Sequence, residues 1–242
     1  MHTPSPRRFP LVRSILALVV ATTTLTACGR CGRLDDLSEP DVLWVGDSLL
    51  AWNEGRCRSV PAETALVRQV GYVSEAVNGA EMLRGSDAIA EQGSTDERYS
   101  VVVVDGGAND LNRQCGCGPC TDTLDALLTE PAGPDAAFTG AFVEVTERWR
   151  ATGAQVLLLG YHPVKDGAWY GFADCFDTIT ELDRRVAAYA AATEGVGFYD
   201  VGDVIRPQVK GVYAIDGVHF SPKAAELLAG PLAEQIEALR EP

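Results

Sequence analysis

Two periods of apolar residues alternate along this chain. Val42 to Val45 is a short apolar run that ends at Gly46, and Val101-Val102-Val103-Val104 is four β-branched residues with no polar alternation. Runs of this kind suit strands covered on both faces, as in a parallel sheet. Tyr72 to Val77, Gln155 to Tyr161 and Val196 to Tyr199 read as three more strands. Between them the apolar positions fall at helical spacing: Ala62, Leu66 and Val70 over 61–70; Phe138, Phe142, Val145 and Trp149 over 138–151; Ile179, Leu182, Val186 and Tyr189 over 176–192. A closing helix over 222–239 has Pro222 near its first turn, and Leu227, Leu228, Leu232, Ile236 and Leu239 as its apolar positions. Pro231 inside it predicts a kink or a split.

Strands alternating with helices of this length predict an α/β fold, a three-layer α/β/α sandwich around a central parallel sheet. The 242 residues suffice for one such domain, placed at residues 41–242, and are too few to argue for two. In sheets of this type the chemically active groups gather beyond the carboxyl ends of the strands. The polar segments directly after each strand are therefore the places to look.

The N-terminus has a different character. Arg7, Arg8 and Arg13 form a basic region, Ile15 to Ala21 an apolar one, and a small-residue site follows, the pattern of an export signal over residues 1–27. The apolar run is shorter than the roughly 18 residues a spanning helix requires. Residues 28–40, polar and with Gly29, Gly32 and Pro40, read as a tether. Without the first 27 residues the chain carries 17 basic against 34 acidic residues, near −17. That surface repels nucleic acid and anionic headgroups, so no nucleic-acid partner is expected.

Seven cysteines agree with export: Cys28, Cys31, Cys57, Cys115, Cys117, Cys120 and Cys175. Setting Cys28 aside leaves six, enough for three disulfides in any of 15 connectivities. The Cys115–Cys120 cluster also raises metal binding. Its spacing is not a matched pair of CxxC arms and no histidine is near, so disulfides are the preferred reading and no metal site is assigned.

Three polar, glycine-marked segments sit where the fold predicts activity. Gly46-Asp47-Ser48-Leu49 follows the first strand, Asp105-Gly106-Gly107-Ala108-Asn109-Asp110 follows the valine strand, and Asp216-Gly217-Val218-His219 precedes the closing helix. A serine hydroxyl needs a base to become a nucleophile, usually a histidine oriented by a carboxylate, and acyl transfer needs donors aimed at the oxyanion. Of the three histidines, His2 lies in the signal, His162 follows a strand, and His219 stands three residues after Asp216. The bland reading of Ser48 is a helix N-cap. Asp47, Asp105 and Asp110 read as organisers of their turns, Trp44 as core, and Trp52 as either core or substrate-facing. His162 reads as structural or substrate-contacting rather than as a second base. No Gly-x-Ser-x-Gly elbow and no phosphate-cradling loop is found.

These segments resemble the marker blocks of the SGNH (GDSL) hydrolase superfamily, in family order from residue 46 to 219. The resemblance implies a flavodoxin-like α/β/α fold and a serine ester hydrolase without cofactor. In it, Ser48 is the nucleophile, His219 the base and Asp216 its partner. Ser48 N–H, Gly79 N–H and the Asn109 amide would form the oxyanion hole. The glycine block is matched by Ala76-Val77-Asn78-Gly79-Ala80, with Gly85 as the alternative. The implied substrate is a small-molecule or glycan ester; a non-hydrolytic binder of acylated glycans and an acyltransferase are the competing functions. Leu25-Thr26-Ala27-Cys28 resembles the lipobox of bacterial lipoproteins, which implies cleavage before Cys28 and a membrane lipid anchor on it, against an ordinary secretory signal.

Overall fold

The computed structural model describes residues 31–241, apart from residues 97, 119 and 134; the expected signal and Cys28 lie outside the described residues. Five strands, β1 (Ser38–Val45), β2 (Val70–Ser74), β3 (Val101–Val104), β4 (Gln155–Leu159) and β5 (Val196–Tyr199), pair in parallel in the order β2-β1-β3-β4-β5. The register sets Val42 beside Val101, Val101 beside Gln155, and Val156 beside Val196. The main helices are α1 (Ser48–Ala51), α2 (Val60–Arg68), α3 (Ala108–Cys115), α4 (Thr121–Leu127), α5 (Ala141–Arg150), α6 (Phe176–Ala192) and α7 (Pro222–Arg240).

Because successive side chains on a strand point to opposite faces, each apolar run feeds two cores. Leu43, Val45, Val102, Val104, Val156 and Leu158 pack with Phe142 and Trp149 of α5 and with Leu182 and Val186 of α6. Val42, Trp44, Val101, Val103, Leu157 and Leu159 pack the other way, with Leu50 of α1, Val60 of α2, and Leu228, Leu232 and Ile236 of α7. The missing polar alternation in the valine strand is thus the signature of a sheet covered on both sides. Trp44 is core, as its flanks suggest.

Several expectations need correction. Part of the stretch read as a tether is folded onto the domain: residues 31–35 are helical, residues 38–40 already belong to β1, and Ser38 pairs with Val70. Pro40 is tolerated there because it falls in the irregular stretch between Ser38 and Val42. The closing helix runs unbroken through Pro231. The carbonyl that loses its partner is that of Leu227, whose residue is 40 % exposed, so water can take the bond. Residues 108–115 and 121–127, to which the apolar pattern assigns no element, form α3 and α4. Their sequences present few apolar positions, and the pattern alone did not mark them.

Candidate active site

After β1 the chain turns to one side to make β2, and it returns to the other side to make β3. The carboxyl ends of β1 and β3 therefore flank a topological switch point, the usual place for a ligand crevice. Ser48 follows β1 and Asn109 follows β3, so two segments 61 residues apart in sequence become neighbours. His219 arrives from the loop before α7.

The turn into α1 is held tightly. Asp47 is the N-cap of α1, accepting from Leu49 N at 2.9 Å, so the capping role is taken and Ser48 occupies the first helical position. A side chain on Gly46 would overlap Asp105 Oδ1, which is why only glycine fits there. Gly46 exchanges two hydrogen bonds with Gln92, donating to Oε1 at 2.6 Å and accepting from Nε2 at 3.0 Å. Arg148 of α5 holds that loop in turn, donating to the carbonyls of Ala90, Gln92 and Gly93. Neither Gln92 nor Arg148 carries a sequence signal for this task.

Ser48 Oγ lies 2.8 Å from His219 Nε2, and His219 Nδ1 lies 2.6 Å from Asp216 Oδ2. The other Asp216 oxygen accepts from Val218 N at 2.9 Å and from His219 N at 3.0 Å, so one carboxylate shapes the loop and orients the ring. Burial pushes the Asp216 carboxyl up, but the hydrogen bonds from His219 and Val218 outweigh it and leave it below the ordinary value. Trp52 stacks on the His219 ring with centroids 4.0 Å apart and planes 5° from parallel. Of its two readings, Trp52 takes neither wholly: it braces the imidazole.

Asn109 is buried, and its Nδ2 donates to Ala80 O at 3.0 Å and to Asp47 Oδ2 at 3.1 Å. With both hydrogens engaged, it can serve an oxyanion only by sharing one of them. Gly79 sits in the turn just before Ala80 at φ +76°, a conformation that favours glycine, and its N–H has no hydrogen-bond partner among the described residues. The same holds for Ser48 N–H. Asp110 braces more than its own turn: it accepts from Met82 N at 2.7 Å and Leu83 N at 3.0 Å, anchoring the loop that follows Gly79. Burial raises its pKa to about 6.

Beneath the serine lies a buried carboxyl pair. Asp47 N donates to Asp105 Oδ1 at 2.8 Å, while Asp47 Oδ2 also accepts from the Tyr161 hydroxyl at 2.8 Å. Burial raises both carboxyls, and the Asp47 charge drives Asp105 well above the carboxylate range. The rise is greater at Asp105, because Asp47 accepts from more donors.

His162 lies against Phe220 and Tyr213, with its Nδ1 3.0 Å from Pro163 O, and it faces the same pocket as Ser48. Burial lowers its pKa from 6.5 to about 4, so it is neutral in the folded protein. Between those two values the unfolded chain binds a proton that the folded chain does not, so this contribution to stability is lost as pH falls. The stability difference between wild type and His162→Gln should shift against wild type by up to about 3 kcal/mol from neutral pH to about pH 4, read by urea denaturation at each pH.

Three disulfides form, Cys31–Cys57, Cys115–Cys120 and Cys117–Cys175. The last pins residues 169–175 to the α3–α4 corner. That segment carries Trp169 and Tyr170, 53 % and 61 % exposed, and Tyr170 stands edge-on to His219 at 6.3 Å. Tyr170 holds a left-handed backbone at φ +64°, secured by Asn112 Nδ2 donating to its carbonyl at 2.8 Å. The disulfide closes a 58-residue separation. Replacing Cys117 and Cys175 together by alanine should cost about 4 kcal/mol on the chain-entropy account, measured by equilibrium denaturation.

Solved structures share this architecture. A GDSL-like lipase from Bacteroides thetaiotaomicron is 16 % identical, covering 88 % of this chain and 97 % of its own, with TM-score 0.55. A Bacteroides fragilis protein designated an acylhydrolase is 17 % identical, covering 87 % and 95 %, with TM-score 0.60. A family two carbohydrate esterase from Clostridium thermocellum, in complex with cellohexaose, is 15 % identical, covering 83 % of this chain and 64 % of its own, with TM-score 0.53. At these identities the likeness is one of fold. No curated protein sequence matches the chain. The profile of the GDSL-like lipase/acylhydrolase family matches residues 44–227, a span that contains Ser48, Asn109, Asp216 and His219. The chain belongs to that family and is an ester hydrolase of the SGNH type.

Proposed function

We propose that this protein hydrolyses O-acyl esters of carbohydrates through a Ser48-His219-Asp216 triad. The observation that carries the triad is the unbroken hydrogen-bonded line from Ser48 Oγ through the His219 ring to Asp216. His219 takes the hydroxyl proton as Oγ bonds to the ester carbonyl carbon, and the carbonyl oxygen becomes an oxyanion. Ser48 N–H and Gly79 N–H are the free donors to receive it, with Asn109 sharing the hydrogen it gives Asp47. Collapse breaks the bond to the alcohol, which takes the proton from His219. Water then attacks the acyl-serine by the same route and releases the acid.

The sugar side rests on two supports. Tyr170, edge-on to His219, and Trp169 next to it are exposed aromatic rings, and such rings suit the apolar side of a sugar. The Clostridium thermocellum relative in fold was solved with a cello-oligosaccharide. We further propose that the protein is exported and anchored by a lipid on Cys28. Release of acetate from acetylated xylan and from p-nitrophenyl acetate by wild type, and its absence with Ser48→Ala, is the test. A protein that binds these compounds without cleaving them would instead be a glycan-binding lipoprotein.

A further inference from the structure

The pocket beside Ser48 is small. It offers about 20 Å³ to a water-sized sphere, and its apolar wall is Leu49, Val164, Phe172, Ile179 and Val218. A space of that size takes one water-sized or methyl-sized group. Asn109 lines it too, so this space borders both the Ser48 hydroxyl and the Asn109 amide. The walls are not loose. Leu49 belongs to α1, whose cap is buried; Ile179 is in the first turn of α6; and the Cys117–Cys175 disulfide holds both the start of α6 and the segment carrying Phe172.

On the far side of Ile179 lies an open cleft of about 650 Å³, lined by Phe176, Thr180, Asp183 and Phe198 among others. Tyr161, His162 and Ile179 border both spaces. Ile179, 9 % exposed, is the aliphatic member of that shared wall.

We infer that this is an acetyl-selective enzyme, with Ile179 as the residue that excludes longer acyl chains by closing the pocket off from the cleft behind it. The inference rests on Ser48 as nucleophile. A propionyl or butyryl group needs more room than this space gives, and the neighbouring cleft that shares the Ile179 wall offers it. One methylene too many in an apolar pocket changes kcat/KM by about 10- to 200-fold.

The test is kcat/KM for p-nitrophenyl acetate, butyrate and octanoate with wild type, Ile179→Ala, Ile179→Val and Ser48→Ala, with thermal unfolding to confirm folding. Wild type should prefer acetate over butyrate by at least about 10-fold, with octanoate lower still. In Ile179→Ala the butyrate-to-acetate ratio should rise by about 10-fold or more. Ile179→Val removes one methyl, leaves the helix face intact and should raise the ratio in the same direction by less; it carries the test if the alanine variant does not fold. Wild type cleaving octanoate as well as acetate, or an unchanged ratio in a folded Ile179 variant, would overturn the inference. Acetate turnover that survives Ser48→Ala would instead bring down the triad itself.

Discussion

Ser48→Ala is expected to lower kcat by about 10⁶-fold while leaving the protein as stable as wild type. The two halves of that expectation come from different contacts. Among the described residues Ser48 Oγ makes one hydrogen bond, to His219 Nε2, and in the proposed mechanism that bond is the route by which its proton leaves. Removing the oxygen removes the nucleophile. The fold hardly notices, because the N-cap of α1 is Asp47 and alanine is a good residue at the first helical position. Were Ser48 a structural cap, the variant would lose stability and keep its rate. Parallel measurement of turnover and of unfolding by denaturant separates the outcomes, and a variant that keeps even a hundredth of wild-type turnover would contradict the mechanism.

Asp216→Asn should cost about 10⁴-fold in kcat. Asparagine can keep its oxygen toward Val218 N and His219 N, the bonds that shape the loop. Its amide nitrogen then faces His219 Nδ1, where the carboxylate oxygen stood. A donor in that place forces Nδ1 to accept, and the ring proton moves to Nε2. Nε2 then points a hydrogen at Ser48 Oγ and cannot take one from it. The geometry survives while the tautomer is wrong, so the defect should fall on kcat with little change in thermal stability. A loss under about tenfold would show that His219 does not depend on Asp216 for its proton inventory.

Much of this was legible along the chain. β3, β5 and α6 have the bounds their patterns predict, because an uninterrupted apolar run or a four-position stripe is a local signal. The three motif blocks were legible for the same reason: each is a few adjacent residues at a strand end. The cap role of Asp47 over Ser48, the Gln92 clamp on Gly46 and the Arg148 brace behind it were not, since each joins residues more than 40 positions apart or depends on which side chain turns inward. α3 was missed because its buried residues are Ala108, Asn109, Asp110 and Leu111, a set half polar and too short to show a helical stripe.

What the sequence by itself determined is the parallel sheet and the polar, glycine-marked segments that stand at its carboxyl edge. Tertiary structure alone decided which cysteines pair, that Trp52 stacks on His219, that Asp105 lies buried against Asp47, and that Ile179 lines both the space beside Ser48 and the cleft next to it. The reason is physical. Periodicity and strand-end position are written in neighbouring residues, whereas desolvation, stacking and pocket size are set by groups that the chain brings together only once it has folded.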